Sequence, residues 1–271
     1  MGQAYQPTLN DSAPPVYSRH LRPRMRIPAT FARLVYGDRP LGRLLRPVVN
    51  RLLPANPRAV RVLSGVGTGV RLVIEPRNEK FYWTGAHEPV VQQQLQRLLR
   101  PGSTFWDVGA HIGFFSLIAS RIVGPQGHVH AFEPLPENMV RLQQSLALNE
   151  NTRNVAVHPW AVADVVGEAP LYRNGVSPLA SLMAGQGMPT IVHCVTLDIV
   201  ADEFGLPDLI KVDVEGAEAR VLVGARRLLA QRPLPLIMEF LTAAALADAQ
   251  TRLPGYRCMP LDDKNWLLTP A

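Results

Sequence analysis

Apolar positions along the chain follow two alternating periods, and the changes fall at glycines and prolines. Thr104–Val108 is a short apolar run suited to a buried strand. After a glycine loop, Phe114, Leu117, Ile118 and Ile122 recur at helical spacing until Gly124, Pro125 and Gly127 interrupt, and Val129–Phe132 is apolar again. Strand, loop, helix and strand make a βαβ unit, whose crossover is expected to be right-handed. The same reading continues on both sides. Ala59–Leu63 and Val70–Ile74 form a hairpin, residues 78–89 a loop, and Glu88–Leu99 a helix with Val91, Leu95, Leu98 and Leu99 as its stripe. Downstream come a helix from Pro134-Leu135-Pro136 to Asn149, a strand over Asn154–His158, the apolar Trp160-Ala161-Val162, and a strand over Glu168–Tyr172. Residues 173–190 lack periodicity, which fits a lid or substrate loop or a plain surface loop. Ile191–Leu197 is a strand, Asp198–Phe204 a short helix, and Leu209–Val214 a buried strand turned by Gly216 into a helix. A strand over Leu234–Phe240, a helix over residues 242–251 and a hairpin of Cys258–Leu261 with Asn265–Leu268 complete the chain. Strands alternating with helices predict an α/β fold, a Rossmann-like doubly wound sheet.

The N-terminal region breaks this pattern. Prolines 7, 14, 15, 23 and 28 mark an extended lead, whereas Leu41, Leu44, Leu45, Val48, Val49, Leu52 and Leu53 recur on one helical face, with Arg43, Arg46, Asn50 and Arg51 on the other and Pro47 as a kink. Two uses fit this segment: docking on the domain or a second subunit, as in a homo-oligomer, or peripheral contact of residues 41–53 with an anionic membrane. Residues 1–60 are therefore set apart as a basic arm, and residues 61–271 as the α/β domain.

Composition sharpens that division. The 271 residues are 47% hydrophobic and 18% charged, as a globular domain with a full core requires. The net charge of +6 is unevenly placed. Residues 1–62 hold 11 arginines, no lysine and two aspartates (+9), and the remainder carries 17 basic and 20 acidic side chains (−3). The basic character thus belongs to the arm, which argues against a nucleic-acid groove across the fold. Cys194 and Cys258 alone make no disulfide framework or cysteine zinc site. With no spanning apolar run and no signal-peptide core, the expectation is a cytoplasmic protein.

The chemistry concentrates where strands end. Gly109-Ala110-His111-Ile112-Gly113 follows the first core strand and lets a ligand approach the backbone, and Glu133 ends the next strand, where a carboxylate can accept hydrogen bonds from both hydroxyls of a ribose. An adenosine-containing ligand is expected. Asp107 stands two residues before the first glycine in a D-x-G-x-x-x-G loop that lacks the third glycine of a dinucleotide fingerprint. A carboxylate there is unwelcome beside a pyrophosphate and suits a cationic ammonium and sulfonium, so S-adenosylmethionine is favoured over NAD. Trp160 and Ala161 can lie against adenine, and His87 and Glu88 can close over the cofactor or simply begin a helix. The second centre is Asp213-Val214-Glu215-Gly216-Ala217-Glu218, with Glu239 near the end of the following strand.

These pieces resemble the FkbM-family methyltransferases, within the class I S-adenosylmethionine-dependent group. The matching stretches are FWDVGAHIGFFSLIAS (105–120), HAFEPLPENMVRLQQSLALN (130–149), TLD (196–198) and DLIKVDVEGAEARVLVGARRLL (208–229), followed by the strand ending at Glu239. The resemblance implies a seven-stranded sheet with a reversed last strand and O-methylation of a hydroxyl on a sugar or natural product. It implies cofactor contacts among Asp107, Gly109, Ala110, His111, Gly113, Phe115, Glu133, Pro134 and Asn138, joined by Trp160, Ala161, Asp213 and Glu88. Family members commonly carry Asn at the position of His111.

A sugar hydroxyl is a poor nucleophile at neutral pH, so a base or metal is expected to assist in-line transfer. Asp213, Glu215 and Glu239 are the candidates for either role, as base or as ligands to Mg2+. Asp213 and Glu215, two apart, would share one face of a continuing strand, and His111 is a further candidate base. Two other classes remain open at this point: a Rossmann dehydrogenase and a non-catalytic cofactor-binding scaffold.

Overall fold

The computed structural model describes Val49 and residues 51–173, 180–181 and 189–271. The amphipathic segment therefore lies outside the described residues except at its end, where Leu53 N–H bonds the Val49 carbonyl at 3.1 Å. Most of the 173–190 loop and the arm also lie outside them. No described helix is long and apolar enough to cross a membrane.

The chain enters through a hairpin, β1 (Arg58–Arg61) and β2 (Arg71–Ile74), followed by α1 (Lys80–Thr84) and α2 (Pro89–Leu98). The core unit is β3 (Thr104–Val108), α3 (Phe114–Val123), β4 (His128–Phe132), α4 (Pro136–Ala147) and β5 (Val155–His158). A small four-stranded sheet follows, from β6 (Trp160–Val162), β7 (Gly167–Arg173), β8 (Ala180–Ser181) and β9 (Thr190–Val195). Then come α5 (Leu197–Phe204), β10 (Leu209–Val212), α6 (Glu218–Val223), α7 (Arg226–Gln231), β11 (Leu236–Glu239), α8 (Ala243–Arg252), β12 (Tyr256–Pro260) and β13 (Asn265–Pro270).

The main sheet has seven strands in the order β12-β13-β11-β10-β3-β4-β5. Its inner strands are parallel, and β13, the last in sequence, runs antiparallel to both its neighbours. The reversed last strand is thus present. From β3 the chain winds outward through β4 and β5, then returns to lay β10 on the opposite side of β3. That reversal opens a crevice at the carboxyl ends of β3 and β10, where open α/β sheets bind ligands.

Strand pleating divides the interior into two cores. Phe105, Leu209 and Ile237 face one, with the hairpin, α2 and α3, whereas Trp106, Ile210 and Met238 face the other, with the elements after β9. Residues 78–89 contain a helix where the sequence suggested only loop. Tyr82 and Trp83 are both buried in α1, so packing of two adjacent aromatics holds a single turn that shows no apolar periodicity, and Gly85 ends it at φ 80°.

The hairpin region is fastened to α4 by a bidentate pair, with Arg141 donating to both carboxylate oxygens of Glu79 at 2.8 Å. Both side chains are nearly enclosed. Removing one member leaves the other as an uncompensated buried charge. Glu79→Gln is therefore expected to lower the unfolding free energy by about 3 kcal/mol, read as a lower urea midpoint at unchanged slope.

Candidate active site

The loops leaving β3 and β10 touch. Asp213 N–H donates to the Val108 carbonyl at 3.0 Å, and a Cβ on Gly109 would stand 1.9 Å from the Asp213 carbonyl oxygen. Gly109 also has φ +82°, so both backbone shape and space demand glycine. Over this contact opens a cavity of about 620 Å³ lined by Gly109, His111, Glu133, Pro134, Asn138, Trp160, Ala161, Asp213, Glu215, Glu239 and Glu88 from the expected set, together with Glu79, Tyr82, His87 and Lys264. Ala110, Gly113 and Phe115 do not line it, and neither does Asp107.

Asp107, expected at the cofactor, lies beside the cavity without lining it. It shares the Phe105 face of β3, beneath α3, where it is fully buried and accepts a 2.5 Å bond from Ser116 Oγ. Its register partner on β10 is Lys211, whose ammonium lies 3.0 Å from Asp213 Oδ2 and over the Phe115 ring. Burial raises the Asp107 pKa, while Lys211 and Ser116 hold it down. Asp107 thus supports the floor of the site through Lys211 and Ser116.

Glu133 lines the cavity at the end of β4. His111 N–H donates to Oε2, and Leu135 N–H and the Asn138 amide donate to Oε1, at 2.9, 2.9 and 3.2 Å. Burial outweighs these bonds and pushes its pKa up to about 7. Three donors leave room at the carboxylate for a ligand hydroxyl. Beside it, Trp160 stacks on His158, and His158 Nε2 is 3.0 Å from His130 Nδ1. Burial lowers both imidazoles to about 4, which keeps this wall neutral.

The carboxylate cluster forms differently from the expected strand pairing. The strand stops at Val212, and Glu215 takes a left-handed conformation at φ 54°. A turn, not the pleat, thus brings oxygens of Asp213, Glu215 and Glu239 within 4.8 Å of one another, close enough to share a cation. Lysines already serve two of them. Lys211 holds the Asp213 carboxyl well below its usual range against the opposing effect of burial. Glu239 bonds Lys264, while burial and the adjacent Asp213 push its carboxyl up. Glu215 has neither lysine, and burial and Asp213 raise it to about 7.

His111 is poorly suited to the base role. Arg141 lies 3.4 Å from Nε2 and the Tyr82 hydroxyl 3.1 Å from Nδ1. A guanidinium only donates, so Nε2 accepts and Nδ1–H donates to tyrosine. Burial, then Arg141, lowers the imidazole to about 3. Both nitrogens are committed. Glu88, before α2, makes no side-chain cap bond and sits at φ 41°, ψ 63°. Of the described non-glycine residues with positive φ, Glu88, His111 and Glu215 line the cavity and only Asn151 does not. Such backbone strain concentrates where a site over-determines it.

Sequence reading missed Tyr82, Glu79, Arg141, Lys211 and Lys264. One signal was present: the chain has three lysines, and Lys211 interrupts a buried strand while Lys264 sits in the last hairpin turn.

The pH response follows from Glu133. Its folded pKa of about 7 exceeds the usual 4.5, so the folded state binds the extra proton in that interval. The stability it contributes is full below 4.5 and is lost as pH rises through about 7. Glu133→Gln is expected to flatten the fall in melting temperature over this window, measured by circular dichroism.

Comparison with known proteins places the chain. The methyltransferase FkbM domain matches residues 107–248. The 31-O-demethyl-FK506 methyltransferase FkbM of Streptomyces tacrolimicus is 32% identical over 158 residues, covering 46% of this chain and 60% of that one. The hexuronic acid methyltransferase AglP of Haloferax volcanii is 27% identical over 150 residues, covering 49% of this chain and 56% of its own. The chain thus matches under two thirds of each relative's length. Among solved structures, a methyltransferase FkbM from Methylobacillus flagellatus aligns at 20% identity and TM-score 0.48, over 63% of this chain and 44% of that one.

Proposed function

The chain belongs to the FkbM methyltransferase family, and from that premise we propose that it transfers a methyl group from S-adenosylmethionine to a hydroxyl of a sugar or natural product. The observation that carries the cofactor assignment is the charge of the cavity. Six carboxyl groups, Glu79, Glu88, Glu133, Asp213, Glu215 and Glu239, line it with Lys264, and even with Arg141 paired to Glu79 and Lys211 paired to Asp213 the acids outnumber the cations that serve them. Such a surface attracts a cationic ligand and repels a pyrophosphate, which sets aside the dehydrogenase reading. Glu133 and Asn138 would hold the ribose, with Trp160, Ala161 and Val162 along the base. When bound, S-adenosylmethionine supplies an electrophilic methyl group on sulfur.

The protein's part is to align the acceptor, exclude water and take its proton. Asp213 is held by Lys211 and Glu239 by Lys264 and Asp213, so Glu215 is the carboxylate left to accept that proton. Its oxygen would receive the acceptor's hydrogen as the acceptor oxygen bonds the methyl carbon and the carbon–sulfur bond breaks, the thioether being the leaving group. The Asp213–Glu215–Glu239 group needs no Mg2+ in this scheme, because Lys211 and Lys264 offset two of its charges. The relatives named as a hexuronic acid and a 31-O-demethyl-FK506 methyltransferase support the acceptor class.

Calorimetric titration with S-adenosylhomocysteine is expected to show saturable binding, and Glu133→Gln to weaken it about 10- to 100-fold. Binding of NAD instead would overturn the reading. With an acceptor found among glycosides and polyketide alcohols, Glu215→Gln is expected to lower kcat by about 100-fold or more and leave S-adenosylhomocysteine binding unchanged. Wild-type kcat should rise with pH through about 7 as Glu215 loses its proton. An Asp213→Asn variant that loses turnover while Glu215→Gln retains it would reassign the base.

A further inference from the structure

Lys264 presents its ammonium to two carboxylates that line the cavity. Nζ lies 2.7 Å from Glu88 Oε1, at the start of α2, and bonds Glu239 Oε1, at the end of β11. The acids are buried and the lysine side chain is 45% exposed. The lysine backbone is fixed, its N–H bonding Asp262 Oδ1 at 3.0 Å and its carbonyl accepting from Phe240 N–H at 2.8 Å. The side chain is a long flexible stem that can withdraw into solvent without moving the fold. Glu88 stays ill satisfied even with lysine present, since its enclosed Oε2 accepts no hydrogen bond. Its strained backbone, at φ 41°, aims that carboxylate into the cavity instead of capping α2.

A primary ammonium with three donors is what this arrangement recognises, and Lys264 is the one within reach. We propose that Glu88 and Glu239 form a subsite for a ligand's primary alkylammonium, the group at the amino-acid end of S-adenosylmethionine, and that Lys264 is its internal occupant, displaced when the ligand enters. This assignment rests on the cofactor reading above. It makes Lys264 a built-in competitor: the binding-competent state is the fraction of molecules in which the lysine has left, and apparent affinity is reduced by that fraction.

The test uses the full chain, calorimetry and two probes, S-adenosylhomocysteine and methylthioadenosine, which shares the nucleoside and thioether but lacks the amino acid. Lys264→Met is expected to tighten S-adenosylhomocysteine about tenfold and leave methylthioadenosine unchanged, and Lys264→Gln to do the same. Glu88→Gln is expected to weaken S-adenosylhomocysteine about tenfold, again without effect on methylthioadenosine. Weaker binding of S-adenosylhomocysteine by Lys264→Met would make the lysine a partner for the ligand carboxylate and overturn the proposal. Equal shifts for both probes, which mark a steric effect, would overturn it too. So would no change in either, which would leave an ammonium of the acceptor as the subsite's guest. If the wild-type protein binds neither probe, the cofactor reading itself falls, before any variant is measured.

Discussion

The site depends on one buried positive charge. Lys211 sits within a strand whose other members are apolar, almost wholly out of water. An isolated ammonium in such a place would lose its proton or unfold the strand. It keeps the proton because Asp107 stands across the ladder and Asp213 follows two residues later, and these acids raise its pKa above the ordinary lysine value despite burial. The consequences spread from there. Lys211 holds the Asp213 carboxyl low against burial, and burial together with that anionic neighbour raises Glu239 and Glu215. A buried lysine within the sheet thus bears on the carboxyl groups of the cavity.

Backbone geometry carries the second constraint. The loops after β3 and β10 meet at van der Waals limits, with Gly109 against the Asp213 carbonyl. Because this contact is backbone to backbone, it positions both loops whatever the side chains do. Glu215 and His111 then leave these loops in left-handed conformations, which re-aim their side chains in a way regular strand or helix would not. Residues that strain the local chain are held by the contacts around them, so the geometry of the cavity precedes any ligand.

Much of this was legible in the sequence. The order of strands and helices followed from apolar periodicity and glycine punctuation, and Glu133 could be placed at a strand end by counting. Asp107 could not be placed as well. Alternation assigns it to the face shared with Phe105, but a sequence does not say which face of a buried strand looks toward the crevice. Asp213 and Glu215 illustrate the same limit: the even spacing suggested a common face, whereas a turn produced their proximity. Lys264 and Arg141 were hidden for another reason. They reach the site from distant elements, a hairpin turn and a surface-patterned helix, and only the tertiary fold brings them near.

His111 shows how a departure from the family pattern can preserve its physics. The position needs a residue that tolerates φ 50°, and among non-glycine residues Asn, Asp and His occupy that region most readily. It also presents an acceptor toward Arg141 and, in the tautomer this sets, a donor toward the Tyr82 hydroxyl. A neutral imidazole offers one of each, as does an amide, whereas an aspartate offers only acceptors. Histidine therefore stands in for asparagine on both counts, and its depressed basicity is a requirement of the exchange: a protonated ring would have no acceptor for the guanidinium. The residue that the sequence offered as a further candidate base ties the glycine loop, in the fold, to the hairpin region and to α4.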